Sequence, residues 1–346
     1  MQPKGNTTFP DLAESKVRVV KPEDSRKDLR HVPVPPKFRR QLRDIKHRAV
    51  ESHLLQIERA RRAIIAGDAD VLMLGDSSFL FGAPGDAERI MIPGLVRREL
   101  DSARVVAIAG GGLAAGVYGD ILRLFAQLDQ RPAALIVSIV LRNNSMTHVT
   151  CNPSFRYDRL RADLVAQDPH EKVRSFGRGA ELDETERAAF ERLEVETRWG
   201  GRSTIGSYRT GLRGKITHPM PHDVQRRLFD YYHGEILTPD HPGLTEVRRF
   251  GQTVRDYAVP TAFFWAAPPL EHGESLYPGE FETHVRANLA QLQAALTPAG
   301  ETTPVLIEAP LEDADFAESS DGTEHYALSG RRKIAQAVVA ELRAKR

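Results

Sequence analysis

From residue 70 onward, short continuous apolar runs alternate with segments whose apolar residues recur at helical spacing. The runs are DVLMLGDS (70–77), ARVVAIAGG (103–111), AALIVSIVL (133–141), VPTAFFWAAP (259–268) and TPVLIEAP (303–310), which predict five strands. Helices are predicted over about 87–100, 115–128, 281–296 and 329–344. A strand that is apolar without alternation is buried on both faces, and a parallel sheet covered by helices provides that environment. The predicted fold class is α/β: three layers, α/β/α, around a five-stranded parallel sheet.

Three other regions have a different texture. Residues 1–36 are polar and dotted with proline, and HVPVPP reads as an extended arm. Residues 37–67 carry a loose apolar stripe (Leu42, Ile45, Ala49, Ile57, Ile64, Ile65) among many basic residues, which predicts a helical segment packed on the main domain. After the third strand comes a long stretch rich in Arg, His, Asp and Pro, with helical pieces in LDETERAAFERLEVETRW and PHDVQRRLFDYYHGEIL. A connection this long predicts a large helical insertion, or cap, over 146–257. Trp199, Tyr208, Phe229, Tyr231 and Tyr232 are its candidate core, or the lining of a pocket. The sheet domain is then 68–145 together with 258–346.

Composition narrows the function classes. Apolar residues make up 41% and charged residues 27%, enough for a sizeable core. Basic residues number 48 against 47 acidic, a net charge of +1, which argues against a nucleic-acid scaffold. A single cysteine, Cys151, excludes an intramolecular disulfide framework. No apolar run is long enough to span a bilayer, and the first residues have no apolar core of the signal-peptide type. The expectation is a cytoplasmic protein without an integral membrane segment.

In an open parallel sheet, ligands bind beyond the carboxyl ends of the strands. The first strand delivers Gly75-Asp76-Ser77-Ser78 there. The second delivers Gly110-Gly111-Gly112, with Gly116 soon after, and the third delivers Arg142-Asn143-Asn144-Ser145. Asp321-Gly322-Thr323-Glu324-His325 precedes the last helix. A serine, glycine-rich backbone, an asparagine and an Asp/His pair are the parts that acyl transfer needs: nucleophile, oxyanion donors, and a base with an orienting acid.

In this order the blocks resemble the SGNH (GDSL-type) hydrolase superfamily, over about 68–145 and 258–345. The resemblance implies an SGNH/flavodoxin-like sheet and assigns roles. Ser77 would be the nucleophile, His325 its base and Asp321 the acid behind the imidazole. The Ser77 and Gly116 backbone N–H groups and the Asn143 amide would form the oxyanion hole. The chain departs from the family pattern in three places. Three residues separate Asp321 from His325 where the family has two, leaving Asp315 or Glu318 as other acids. The third block is Leu141-Arg142-Asn143-Asn144, so Asn144 competes with Asn143. Gly111 and Gly112 compete with Gly116.

The function these readings imply is a serine-dependent esterase or O-acyltransferase. It would act without a cofactor or metal on a small-molecule or glycan ester or thioester. Two other readings stand beside it. Gly110-x-Gly112-x-x-Ala115 fits a dinucleotide fingerprint, with Arg142 where an acid usually stands, as in an NADP-binding oxidoreductase. An SGNH-like binding module without activity is the other, supported by the Asp321/His325 spacing. The histidines of the insertion (His148, His170, His218, His222, His233, His241) show no HExxH-type spacing, and prolines 219 and 221 predict that His218 and His222 lie off a helix. They read as surface or structural residues, and Cys151 as a structural thiol.

Overall fold

The computed structural model describes residues 53–83, 86–100, 104–147, 157–166, 184–212, 219–297, 304 and 306–344. The arm over 1–36, the first part of the 37–67 segment, His148, Cys151, His170 and His218 lie outside these residues.

Five parallel strands form one sheet in the order β2-β1-β3-β6-β7. They are β1 (Val71–Gly75), β2 (Val105–Ala109), β3 (Ala134–Ile139), β6 (Thr261–Trp265) and β7 (Leu306–Ile307). Gly75 is opposite Ala109, Leu74 opposite Val137, Ile139 opposite Trp265, and Phe264 opposite Ile307. Strand residues alternate between two cores. Leu72, Leu74, Leu135 and Val137 pack with Ile57 and Ile64 of α1 (His53–Ile65), Ile121 and Phe125 of α3 (Ala115–Phe125), and Leu289 and Leu292 of α10 (Phe281–Leu296). Val71, Met73, Ile136 and Phe264 pack on the other face with Leu95 and Val96 of α2 (Ile92–Glu99) and Ile334 and Val338 of α11 (Leu328–Ala344). The runs lack alternation because both faces are covered. Each such side chain contributes about 1.5–3 kcal/mol of transfer free energy.

Between β3 and β6 the described residues form α4 (Asp158–Ala166), α5 (Glu184–Arg192), the antiparallel pair β4 (Glu194–Thr197) and β5 (Gly201–Thr204), α6 (Ile205–Leu212), α7 (His222–His233) and α8 (Gly243–Tyr257). α8 lies directly on the sheet's helical layer, with Leu244, Val247 and Phe250 in the core shared with α3 and α10. Phe229 and Trp199 also pack into that core, whereas Tyr208 and Tyr231 pack against a small cluster of Phe190, Val195 and Ile205. α9 (Leu270–Leu276) follows β6.

Several predicted elements differ in extent. The helix expected over 182–199 ends at Arg192, and Glu194–Thr197 is a strand whose alternate residues are buried. The Glu-Val-Glu-Thr alternation has a period of two, which suits the pairing with β5. The helix expected from residue 87 begins at Ile92, with a proline in its first turn. The fifth strand is only two residues long. It is an edge strand of the sheet, and Pro304 and Pro310 flank it without N–H groups to extend a ladder. His222, expected off a helix, is the first residue of α7, because Pro221 occupies the cap position, where no helical N–H is required. Among the described residues, no helix is long and apolar enough to cross a membrane.

Candidate active site

β1 ends at Gly75, and the chain turns at Asp76 into a single 3-10 turn, Ser77–Phe79. Only glycine fits at 75, because a Cβ there would stand 2.3 Å from the Phe79 ring. Asp76 caps the turn. Its Oδ1 accepts from the Ser78 N–H at 3.0 Å and from the Ser78 hydroxyl at 2.6 Å. Ser78 is thereby engaged, and it is Ser77 that meets the imidazole, with its Oγ 3.4 Å from His325 Nε2.

His325 reaches this point through a short, tightly held loop. The Ala317 N–H donates to the His325 carbonyl at 2.8 Å, Phe316 bridges Tyr326, and the Tyr326 hydroxyl donates to the Ala267 carbonyl at 3.1 Å. The Phe81 ring stacks on the imidazole with centroids 4.0 Å apart and an angle of 16° between the planes, while remaining 40% exposed. On the far side of the ring, Nδ1 lies 3.1 Å from Thr323 Oγ1.

Asp321 meets Thr323 rather than the ring. Its Oδ1 accepts from the Thr323 hydroxyl at 2.6 Å and from the Thr323 N–H at 2.7 Å. Gly322 lies between them at φ +70°, a left-handed conformation that a glycine adopts without strain. α7 braces this turn, since His233 Nε2 donates to the Gly322 carbonyl at 2.7 Å. Of the other acids considered, Asp315 accepts from Lys333 Nζ at 2.6 Å and Glu318 from the Ser320 hydroxyl at 2.5 Å.

The asparagines sit in a 3-10 turn, Leu141–Asn144, after β3. Asn143 Nδ2 faces Asp76 Oδ2 at 3.3 Å and the Leu113 carbonyl at 3.4 Å, so Asn143 is joined to the Ser77 turn. Asn144 Nδ2 donates to the Val140 carbonyl at 2.9 Å. Gly116 is the second residue of α3, and a Cβ there would stand 2.8 Å from Glu246 Oε2. Among the described residues, Gly116 shares no hydrogen bond with Ser77, His325 or Asn143, and the Ser77 backbone N–H has no protein acceptor. Gly112 occupies the turn after β2 at φ +73°. Gly110 packs on His53, whose Nε2 would be 1.7 Å from an added Cβ, and the Tyr157 hydroxyl donates to the Gly111 carbonyl.

Charge around the pair is concentrated and buried. Arg142 is bonded to Glu324, and its guanidinium lies 5.1 Å from the centroid of the Tyr232 ring. Burial and the Arg142 charge push His325 down to about 3, which keeps the imidazole neutral over the physiological range. Burial pushes Glu324 up to about 7 against the pull of Arg142, and Asp76 adds to the rise. Glu324 Oε1 is buried without a hydrogen-bond partner. Burial also raises Asp321, opposed by its bonds from Thr323. A neutral imidazole next to a hydroxyl, with Thr323 and then Asp321 behind it, is an arrangement able to take a proton from a serine hydroxyl.

Two described histidines between β3 and β6 have polar partners within the fold. His241 Nε2 meets Glu235 at 2.8 Å, and His233 is tied to Gly322. Among the described residues, no group of three or more His, Cys, Asp or Glu side chains is arranged to hold a metal. Thr323, Phe81 and Glu324 are neighbours of the site that motif spacing did not mark. The one signal for Thr323 was the extra residue between Asp321 and His325. No protein-family model matches the chain, and no curated protein matches it in sequence.

Proposed function

We propose that this chain is a serine-dependent acyl-group enzyme of SGNH-like design, an esterase or O-acyltransferase. The supporting observation is the approach of Ser77 Oγ to 3.4 Å from His325 Nε2 across 248 residues of sequence. Serine–imidazole contacts of this kind shorten when a substrate binds.

Ser77 Oγ attacks the carbonyl carbon of an ester or thioester, and its proton passes to His325 Nε2. The negative charge that develops on the carbonyl oxygen requires fixed donors. The unpaired Ser77 N–H is available for this. Asn143, held to the same turn through Asp76, and the Gly116 N–H in the first turn of α3 are the further candidates. The tetrahedral intermediate then collapses. The bond to the leaving oxygen or sulfur breaks, His325 returns the proton to that atom, and the acyl group remains on Ser77. Water or an acceptor hydroxyl, deprotonated by the same imidazole, completes hydrolysis or transfer.

A fluorophosphonate probe tests this directly. The full chain becomes labelled at Ser77, and Ser77→Ala abolishes labelling while the folded spectrum is retained. Absence of labelling in folded wild-type protein, or labelling that persists in Ser77→Ala, overturns the reading.

A further inference from the structure

We propose that Thr323 is a positioning residue, its hydroxyl joining Asp321 to His325 so that the imidazole presents a lone pair on Nε2 to Ser77. This rests on the serine acyl-transfer reading above and explains how an acid with three residues between it and the histidine serves the site.

The argument is one of hydrogen counting. A carboxylate only accepts, and Asp321 Oδ1 receives both the N–H and the hydroxyl of Thr323, at 2.7 and 2.6 Å. A threonine hydroxyl has one hydrogen, and that hydrogen is committed to Asp321. The Thr323 oxygen therefore meets His325 Nδ1, 3.1 Å away, with a lone pair, and Nδ1 must bring the hydrogen. A neutral imidazole has one ring hydrogen. With that hydrogen on Nδ1, the lone pair falls on Nε2, the atom 3.4 Å from Ser77 Oγ. Without the carboxylate, the hydroxyl is free to rotate and donate to Nδ1, which selects the tautomer unable to accept the serine proton.

The backbone enforces this order. Gly322 at φ +70° folds the chain so that Asp321 and Thr323 meet, and the His233 and Phe229 side chains of α7 pack on that glycine. Thr323 is 8% exposed, so water does not substitute freely for its hydroxyl. When the proton arrives on Nε2, the imidazolium N–H at Nδ1 donates to an oxygen whose dipole is already aligned by the carboxylate, the kind of preorganised polarity that lowers a barrier.

The test is the rate of fluorophosphonate labelling in the full chain. In that reaction Ser77 Oγ bonds to phosphorus, the P–F bond breaks, fluoride leaves and the serine proton goes to His325. Thr323→Val is expected to slow labelling about 10- to 100-fold, a fraction of the loss seen when the orienting acid of a triad is neutralised. Thr323→Ser keeps the hydroxyl and is expected to label within about threefold of wild type. A nitrogen-15 NMR spectrum of wild-type His325 should show a protonated Nδ1 and an unprotonated Nε2. A Thr323→Val rate equal to wild type, a Thr323→Ser rate as slow as Thr323→Val, or a wild-type ring protonated on Nε2 overturns the proposal while the labelled serine leaves the acyl-transfer reading in place. A folded wild type that does not label removes both. If Thr323→Val does not fold, the serine variant and the wild-type spectrum decide the matter.

Discussion

Gly75 and Phe81 show how much of the site depends on single side chains. The Phe79 ring occupies the space over Gly75 where a Cβ would go, so any side chain at 75 forces that ring or the Ser77 turn to shift. Gly75→Ala is expected to destabilise the protein by about 1–3 kcal/mol, as overpacking does, and to slow labelling of Ser77; denaturant unfolding and the probe measure the two effects. An unchanged midpoint would show that the ring moves aside at no cost. Phe81 shields one face of His325. Because burial is the first cause of the depressed histidine value, Phe81→Ala should move the NMR titration midpoint of His325 up from about 3 toward the ordinary 6.5; a midpoint that stays put removes Phe81 as a source of that burial. At this scale the sequence was legible in part. Gly-Asp-Ser after an apolar run marks a turn with a serine in it. Thr323 and Phe81 carry no period and no motif, since one is an unremarkable loop residue and the other extends an apolar run, SFLF. Their importance arises only when the loop before α11 lies over the turn after β1.

Among the elements, α7 connects the β3–β6 segment to the loop that carries His325, the candidate base. Its His233 donates from Nε2 to the Gly322 carbonyl, while Nδ1 is buried without a partner. Protonation would create a second N–H with nothing to receive it, and burial pushes this histidine down to about 3. The folded value lies below the unfolded one, so the unfolded chain binds the proton more readily between about 3 and 6.5. The contribution is complete above pH 6.5 and is lost as the pH falls toward 3. His233→Gln can keep a donor to Gly322 but cannot titrate. The stability advantage of wild type over this variant should therefore shrink as the pH is lowered through that window; a constant gap in Tm from pH 7 to pH 4 contradicts it. Element type was readable wherever the period was long and unmixed, as in α10 and α11. It failed across 182–199, where a helical run passes into Glu-Val-Glu-Thr without a glycine or proline to announce the change. The strand there depends on a partner, β5, that local pattern does not reveal.

For the whole molecule, the question is how two distant halves are kept in register. The sheet does most of this, with β3 pairing to β6 across the long segment between them. A second tie is Asp86, in the loop that follows the Ser77 turn. It accepts from the backbone of Ala83 and Leu328 at 2.8 and 3.2 Å and forms an ion pair with Arg331 of α11, a fully buried guanidinium. The clamp thus joins the segment after the candidate nucleophile to the helix after the candidate base. Asp86→Asn leaves Arg331 buried without a countercharge, a change expected to cost about 3–5 kcal/mol. Equilibrium unfolding measures that cost, and a loss under about 1 kcal/mol would show that the pair contributes little. The α/β class was legible because a doubly covered sheet writes itself into continuous apolar runs. The clamp was not, because an aspartate and an arginine 245 residues apart give no local sign of meeting.

That separation also sets an order of events at birth. Ser77 and His325 are 248 positions apart, and at ribosomal speeds of about 5–20 residues per second a nascent chain carries the serine for roughly 12–50 s before the histidine is made. On the proposed reading the hydroxyl stays without its base throughout that interval, and acyl transfer would begin only once the loop carrying His325 has emerged and found its place.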